Sequence, residues 1–168
     1  MINQIIGEAL QLKDNINTDD IIAGQYLRTQ DSSIWKKHIF ETLDLTIASS
    51  ILEKKFIIAG ANFGCGSSRE QAVIALKSCG IVAIIAKSYG RIFYRNCINN
   101  GLIPALFLNS ETLQIEHKQL VLDIEKSYLW VDSNKIALHK IPPFAIQLYD
   151  AGGLLQFFKE NGKLKTDE

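Results

Sequence analysis

The chain has 168 residues, 47% of them apolar, and its 18 Lys and Arg residues balance 18 Asp and Glu residues. This length favours one domain, residues 1–168, and the even charge does not indicate a nucleic-acid or membrane-surface partner. No apolar run approaches the roughly 18 residues of a membrane-spanning helix, and the first residues contain Glu8 without a basic lead, unlike a signal peptide. We therefore expect a cytoplasmic protein.

The first third of the chain predicts one strand followed by a turn-rich segment. The strand covers about residues 5–12, and the sequence DNINTDDIIAGQYLRT follows it at residues 14–29. A plain structural interpretation of this acidic segment is a surface turn in which Thr18 or Asp19 caps a short helix. A calcium loop is excluded because Ile16 stands where an oxygen ligand is required.

The central third predicts three strands that alternate with two helices. The strands cover residues 56–59, 81–86 and 102–108, and the helices cover residues 68–79 and 89–100. Continuously apolar strands are typical of a sheet covered on both faces, and the alternation predicts parallel pairing with right-handed crossovers. The loops that leave the carboxyl ends of such strands gather at one edge, where ligands bind.

The last third predicts short strands joined by polar turns, followed by helices. The strands cover residues 120–125, 128–132 and 136–139, and the helices cover residues 142–149 and 154–159. Together with the centre, these elements predict an α/β fold with a parallel βαβαβ unit and antiparallel additions.

The segment GANFGCGSSREQAVIAL, residues 60–76, connects the first central strand to its helix. Its plain structural interpretation is a capping box, in which Ser67 caps the helix and Glu70 reaches back. That interpretation leaves Arg69 unexplained, because a helix N-terminus already carries partial positive charge. Free amides of Gly64 and Gly66, two hydroxyl groups and a guanidinium together suit a carboxylate or phosphate ligand.

Other chemical uses of this loop fit its residues less well. A P-loop ends in Gly-Lys-Ser/Thr and contains a lysine that this loop lacks, and the dinucleotide fingerprint requires glycine in place of Arg69. A nucleophilic serine or cysteine requires a histidine base, and none lies near in sequence. The three cysteines, Cys65, Cys79 and Cys97, lack the spacing of a disulfide framework or metal site, and the last two fit apolar helix faces.

Three segments, taken together, resemble the small subunit of 3-isopropylmalate dehydratase and its relative homoaconitase. They are DNINTDDIIAGQYLRT, GANFGCGSSREQA and GRIFYRNCINNGLIP, in this order, and DAGG at residues 150–153 also fits. This protein type is the swivel domain of the aconitase superfamily, and the match spans about residues 15–104. The resemblance implies an aconitase-type swivelling β/β/α domain.

The resemblance also implies an activity and a partner. The activity is that of a hydro-lyase of leucine biosynthesis, which interconverts 2-isopropylmalate and 3-isopropylmalate by dehydration and rehydration. The partner is a large subunit that holds a [4Fe-4S] cluster on three cysteines, in a heterodimer or heterotetramer. The small subunit itself then binds no metal or cofactor, and its ligand is a small di- or tricarboxylate.

Site residues follow from the same resemblance. Ser67 matches the serine that abstracts the proton, Ser68 and Arg69 match contacts to a substrate carboxylate, and Asp19 matches an active-site carboxylate. Residues 26–29, with Arg28, match the segment that contacts the variable group of the substrate. As a base, Ser67 has to be stabilised as an alkoxide, and we expect amide donors at Gly64, Gly66 and the first helical turn to do this.

The substrate stays open at this stage. An arginine at position 28 suits a substrate with an extra carboxylate, as in homoaconitase, whereas isopropylmalate enzymes more often carry an apolar residue there. Isopropylmalate is the first hypothesis because isopropylmalate enzymes are the more abundant members of this family. Homocitrate and related tricarboxylates are the second. A hypothesis from a different class is a non-catalytic anion-binding module that uses the same loop without a cluster-bearing partner.

Overall fold

The chain contains a parallel and an antiparallel sheet, each with four strands among the described residues. The computed structural model describes residues 4–67, 69–109, 113, 115 and 117–161. The strands are β1 (Gln4–Gly7), β2 (Ala9–Gln11), β3 (Phe56–Ala59), β4 (Ala83–Ala86), β5 (Ile103–Leu106), β6 (Leu120–Asp123), β7 (Tyr128–Val131) and β8 (Asn134–Ala137).

The helices lie in the three connecting regions of the chain and at its end. They are α1 (Thr18–Ile21), α2 (Ser32–His38), α3 (Ile47–Ser50), α4 (Glu70–Ser78), α5 (Arg91–Asn99), α6 (Pro143–Ala151) and α7 (Leu154–Asn161), with 3₁₀ turns at Gly24–Arg28 and Ile51–Glu53. None of the helices in the described ranges is long and apolar enough to cross a membrane.

The parallel sheet has the strand order β2-β3-β4-β5. Its central part, β3-α4-β4-α5-β5, is the predicted βαβαβ unit, which is thereby confirmed, and all neighbouring strands pair in parallel. Every residue of β3 and β4 is buried, as expected for strands with both faces covered.

The antiparallel sheet has the order β1-β6-β7-β8, so the predicted antiparallel additions form a sheet of their own. The prediction of one N-terminal strand over residues 5–12 is wrong, because the chain changes sheets at Glu8. There the Glu8 carbonyl accepts bonds from the amides of Lys55 (2.9 Å) and Phe56 (3.1 Å). Its carboxylate pairs with Lys54 at 2.6 Å. These contacts direct β1 into one sheet and β2 into the other.

The three layers are the antiparallel sheet, the parallel sheet and the helices. Because side chains alternate along a strand, Phe56 and Ile58 face the antiparallel sheet, whereas Ile57 and Ala59 face α1, α2, α4 and α5. Burying one such aliphatic or aromatic side chain contributes about 1.5–3 kcal/mol. The predicted β/β/α arrangement is therefore confirmed.

Cys79 and Cys97 belong to the core on the helical side of the parallel sheet, as predicted. Burial raises the pKa of both thiols, most strongly that of Cys97. They are consequently small apolar core residues rather than reactive groups.

Candidate active site

Three loops at the carboxyl ends of β2, β3 and β4 are tied to one another by main-chain hydrogen bonds. The amide of Gly64 donates to the carbonyl of Ile16 at 2.7 Å, and the amide of Gly90 donates to that of Phe63 at 2.8 Å. Because the strands are parallel and adjacent, these loops meet at one edge of the sheet. The glycine loop lies between the other two.

The conformation of the glycine loop accounts for two of its glycines. Gly64 has φ +72° and Gly66 has φ +90°, a region that disfavours side chains. A Cβ at Gly64 would lie 2.1 Å from the ring of Phe93, so α5 itself approaches the backbone there. The Gly64 amide is already bonded to Ile16, and the donor predicted at that position is therefore used within the chain. The Gly66 amide forms no hydrogen bond with another described residue.

A pocket of about 240 Å³ opens beside this loop. Ser67, Arg69 and Arg91 line it, together with Gly66 and Thr18. The structure thus brings together the predicted serine, the predicted carboxylate-binding arginine and the glycine loop. A pocket of this size accommodates a small organic acid of the kind that two guanidinium groups bind.

The hydroxyl group of Ser67 is not used as a helix cap. Helix α4 begins at Glu70, with Arg69 at the N-cap and no side-chain cap, so the capping-box interpretation is wrong. The Glu70 carboxylate instead accepts a bond from Asn100 Nδ2 at 2.9 Å. The buried Thr18 hydroxyl fixes the Ser67 backbone, donating to its carbonyl at 2.9 Å. The exposed Ser67 Oγ forms no hydrogen bond within the described residues and is available to a ligand.

Asp19 pairs with the guanidinium of Arg69 across the pocket edge. The prediction that Thr18 or Asp19 caps α1 is wrong, because Asn17 does so in a reciprocal box with Asp20, both bonds measuring 2.9 Å. Capping by Asn17 leaves the Asp19 side chain free to face Arg69. The two predicted site residues therefore form an ion pair, in which the Asp19 side chain is about half exposed.

The 3₁₀ turn Gly24–Arg28 lies next to this ion pair. A Cβ at Gly24 would lie 3.4 Å from a guanidinium nitrogen of Arg69 and 3.8 Å from the carboxylate of Asp19. Arg28, at the far end of the turn, is exposed, does not line the pocket and forms no ion pair with a described residue. Ser68 lies outside the described residues.

Arg91 lines the pocket but was not predicted from the sequence. It is the first residue of α5, whose N-cap is Gly90. The sequence did contain a signal for Arg91. Like Arg69, it is a cation at a helix N-terminus, where positive charge is unfavourable unless an anion binds nearby. Arg69 is the N-cap of α4 and Arg91 is the first residue of α5, so the two arginines lie at the starts of successive helices.

Within the described part of the chain, no group of three or more His, Cys, Asp or Glu side chains could hold a metal ion. Cys79 and Cys97 are enclosed in the core, and Cys65 lies alone among the cysteines at the pocket. These residues do not fit an iron–sulfur cluster.

The fold and the site define a class: the chain belongs to the Aconitase C-terminal domain family, which matches residues 8–110. A methanogen homoaconitase small subunit from Methanocaldococcus jannaschii is 42% identical over 162 residues, 96% of this chain and 95% of that protein. 3-Isopropylmalate dehydratase small subunit 1 from Archaeoglobus fulgidus is 41% identical, over 92% and 96% of the two chains.

The same similarity holds for a solved structure. The crystal structure of a 3-isopropylmalate dehydratase from Methanocaldococcus jannaschii has a TM-score of 0.85 and 40% identity, with 95% of each chain covered. By family, the chain groups with the small subunits of hydro-lyases. The recognition made from the three sequence segments is thereby confirmed.

Proposed function

We propose that the chain, acting as one swivel-type domain, is the small subunit of a 3-isopropylmalate dehydratase. In this proposal it is active only with a large subunit that holds the [4Fe-4S] cluster, and it binds no cofactor itself. Relatives with that name match nearly their full length. The observation that carries the proposal is that Ser67 and Arg69 line one pocket, with the Ser67 hydroxyl unused by the fold.

Ser67 is proposed as the base of both half-reactions. In dehydration its Oγ, held as an alkoxide, accepts the proton from a substrate carbon as the hydroxyl group on the neighbouring carbon departs. In rehydration a hydroxyl group adds to the carbon that lost the proton, and Ser67 returns the proton to the other carbon. We propose that the Gly66 amide, the first turn of α4 and the guanidinium groups that line the pocket stabilise the negative oxygen. The cluster of the large subunit supplies the Lewis acid for the departing hydroxyl group.

Arg69 and Ser68 are proposed to bind a substrate carboxylate. Arg69 is suited to this because a guanidinium forms two parallel bonds to a carboxylate. Asp19 holds the guanidinium at the pocket edge through their ion pair before the substrate arrives. Arg28 is proposed to contact the variable group of the substrate from the adjoining turn.

The second candidate is a homoaconitase small subunit, and Arg28 is the observation that favours it. Its guanidinium is exposed without an ion pair to a described residue, which leaves it free for an extra carboxylate. The methanogen relative of that name is as similar to the chain as the isopropylmalate relatives are.

The test is co-expression with a candidate large subunit, anaerobic reconstitution and assay on 2-isopropylmalate, homocitrate and citrate. Turnover of 2-isopropylmalate with the highest kcat/KM supports the first candidate, and preference for homocitrate supports the second. A stable complex with an intact cluster that turns over none of the three would overturn both. That result would leave the anion-binding module.

A further inference from the structure

The turn Gly24–Arg28 is held by α2 through its central residue, Tyr26. The ring of Tyr26 stacks on the ring of His38, with centroids 4.2 Å apart and planes 14° from parallel. The indole of Trp35 donates to the main-chain carbonyl of Tyr26 at 3.0 Å, and Trp35 itself is buried. Both the side chain and the backbone of Tyr26 are therefore fixed from the same helix.

Glu41 connects the polar ends of this stack. Its carboxylate lies 2.6 Å from Nδ1 of His38. The Tyr26 hydroxyl group interacts with the same carboxylate, and this interaction raises the pKa of Tyr26. Burial raises the pKa of Glu41, but bonds from His38, Tyr26 and Gln25 outweigh it and lower the pKa overall. Glu41 is thus an ionised carboxylate that interacts with side chains of both the turn and α2.

The other face of the turn contacts the candidate active site. A Cβ built at Gly24 would reach the Arg69–Asp19 pair at van der Waals distance, and Arg28 ends the turn. Five residues of 3₁₀ helix span only about 10 Å, so a rotation at Tyr26 moves both ends. The position of Arg28 relative to Arg69 is therefore set by what Tyr26 contacts.

We propose that Tyr26, His38 and Glu41 are positioning residues that hold the turn so that Arg28 faces the substrate. The inference rests on the proposed function, in which Arg28 contacts the variable group of the substrate. The three residues do not touch the pocket themselves. They act through the orientation of the turn, and so they set the preference between substrates rather than the rate of proton transfer at Ser67.

A purely structural role predicts something different. The His38 and Glu41 side chains are 27% and 19% exposed, so their loss leaves no large core cavity. If the cluster only packed α2, its removal would affect all substrates equally. If it positions Arg28, its removal lowers kcat/KM for a substrate with an extra carboxylate and spares isopropylmalate.

The experiment compares His38→Ala, His38→Phe and the control His139→Ala in the reconstituted complex. His139 is exposed and follows β8, the last strand of the antiparallel sheet. We expect His38→Ala to lower kcat/KM for homocitrate relative to 2-isopropylmalate on the order of tenfold, mainly through KM. His38→Phe keeps a ring for the stack and should recover most of the ratio, while His139→Ala should equal wild type.

Hydrogen exchange of residues 24–29 in the same complexes gives a readout that does not depend on turnover. Faster exchange in His38→Ala together with the changed substrate ratio supports the proposal. Unchanged exchange, or faster exchange with an unchanged ratio, overturns it. A wild-type complex that turns over neither substrate is a failure of the proposed function instead, since it appears in wild type and control alike, and the inference then falls with it.

Discussion

Both edges of the parallel sheet carry a cavity lined by basic side chains, but Lys77 at one edge and Arg91 at the other are used differently. At the amino edge, the cavity measures about 480 Å³ and contains Lys77, which donates to the carbonyls of Gly152 at 3.1 Å and of Asn100. At the carboxyl edge, the smaller cavity contains Ser67 and Arg91, whose side chains bond to no other described residue. Lys77 is therefore committed to the fold, whereas the Ser67 hydroxyl and the Arg91 guanidinium remain available to a ligand.

The glycines of the amino edge support the same distinction. Gly101 has φ +66°, and a Cβ there would lie 2.8 Å from the amide nitrogen of Gly153 and 2.9 Å from the carbonyl of Leu148. The DAGG segment, residues 150–153, consequently packs the end of α6 against the end of α5. This joint holds two helix ends together, whereas the glycine loop at the carboxyl edge lines the pocket beside Ser67.

The largest expected effect concerns Ser67. We expect Ser67→Ala to lower kcat in the reconstituted complex on the order of 10³-fold or more, because the proposed base is lost. Since Ser67 is not a cap, its free energy of unfolding should change by less than about 0.5 kcal/mol. Kinetics and thermal melts on one preparation measure both. Ser133→Ala, in an exposed turn of the antiparallel sheet, is the matched control, and catalysis within about threefold of wild type would contradict the assignment.

The next effect separates two glycines that both have positive φ. We expect Gly64→Ala to destabilise the chain by several kcal/mol, because the strained conformation adds to the clash with Phe93. Gly80 has φ +92° with nothing within 4 Å of the Cβ position, so Gly80→Ala should cost only about 1–2 kcal/mol. Denaturant unfolding of the two variants measures the difference. Equal losses would mean that α5 does not shape the glycine loop.

Arg28→Val tests the substrate at the carboxyl edge. Loss of a charge-assisted bond should cost about 1.5–3 kcal/mol, or roughly 10- to 150-fold in kcat/KM, for a tricarboxylate substrate. Isopropylmalate offers no such carboxylate, and an apolar wall for its branch should keep or raise its kcat/KM, by about an order of magnitude at most. Assays of the Arg28→Val variant on both substrates, in the reconstituted complex, measure these changes in kcat/KM. Parallel losses for both would exclude recognition by this side chain, and no change in either would show Arg28 to be a solvated surface residue.

A smaller effect compares the cations of the two edges directly. Arg91→Gln should raise KM about 5- to 20-fold with little loss of stability, because it removes a cation from the pocket. Lys77→Met should instead lower the free energy of unfolding by about 1–3 kcal/mol, because two carbonyls lose their donor. It should leave KM unchanged. Arg95→Gln, one turn further along α5, is the control for Arg91. A KM effect at Lys77 equal to that at Arg91 would abolish the distinction between the edges.

The sequence predicted those parts of the fold that depend on local pattern. Strand β3 has its predicted bounds, and each end of α4 and α5 lies within two residues of its predicted position. These bounds were predictable because the apolar runs, and the glycines that follow the helices, are local features of the sequence. The split of the N-terminal strand was not predictable, since Glu8 is directed by Lys54 and Lys55, nearly 50 residues away.

Pocket residues that lie in one sequence segment were predicted to lie together, whereas a pocket residue that the fold brings in from another segment was missed. Ser67 and Arg69 stand together in one loop and were found by their chemistry. Arg91 joins them only through the crossover from β3 to β4, which places the starts of successive helices at one edge. The predicted caps of α1 and α4 were both wrong for a related reason. Several residues fit each capping pattern, and tertiary contacts, such as the bond from Thr18 to the Ser67 carbonyl, determine which residue becomes the cap.

The proposed role of Ser67 is tested by a mixing experiment with the large subunit. The isomerisation of 2-isopropylmalate is followed while wild-type chain is added to a fixed amount of reconstituted large subunit, with and without excess Ser67→Ala chain. Our prediction is that wild-type chain restores turnover, that the Ser67→Ala chain restores none, and that excess Ser67→Ala chain inhibits by occupying the large subunit. Restoration of near wild-type turnover by the Ser67→Ala chain would contradict it.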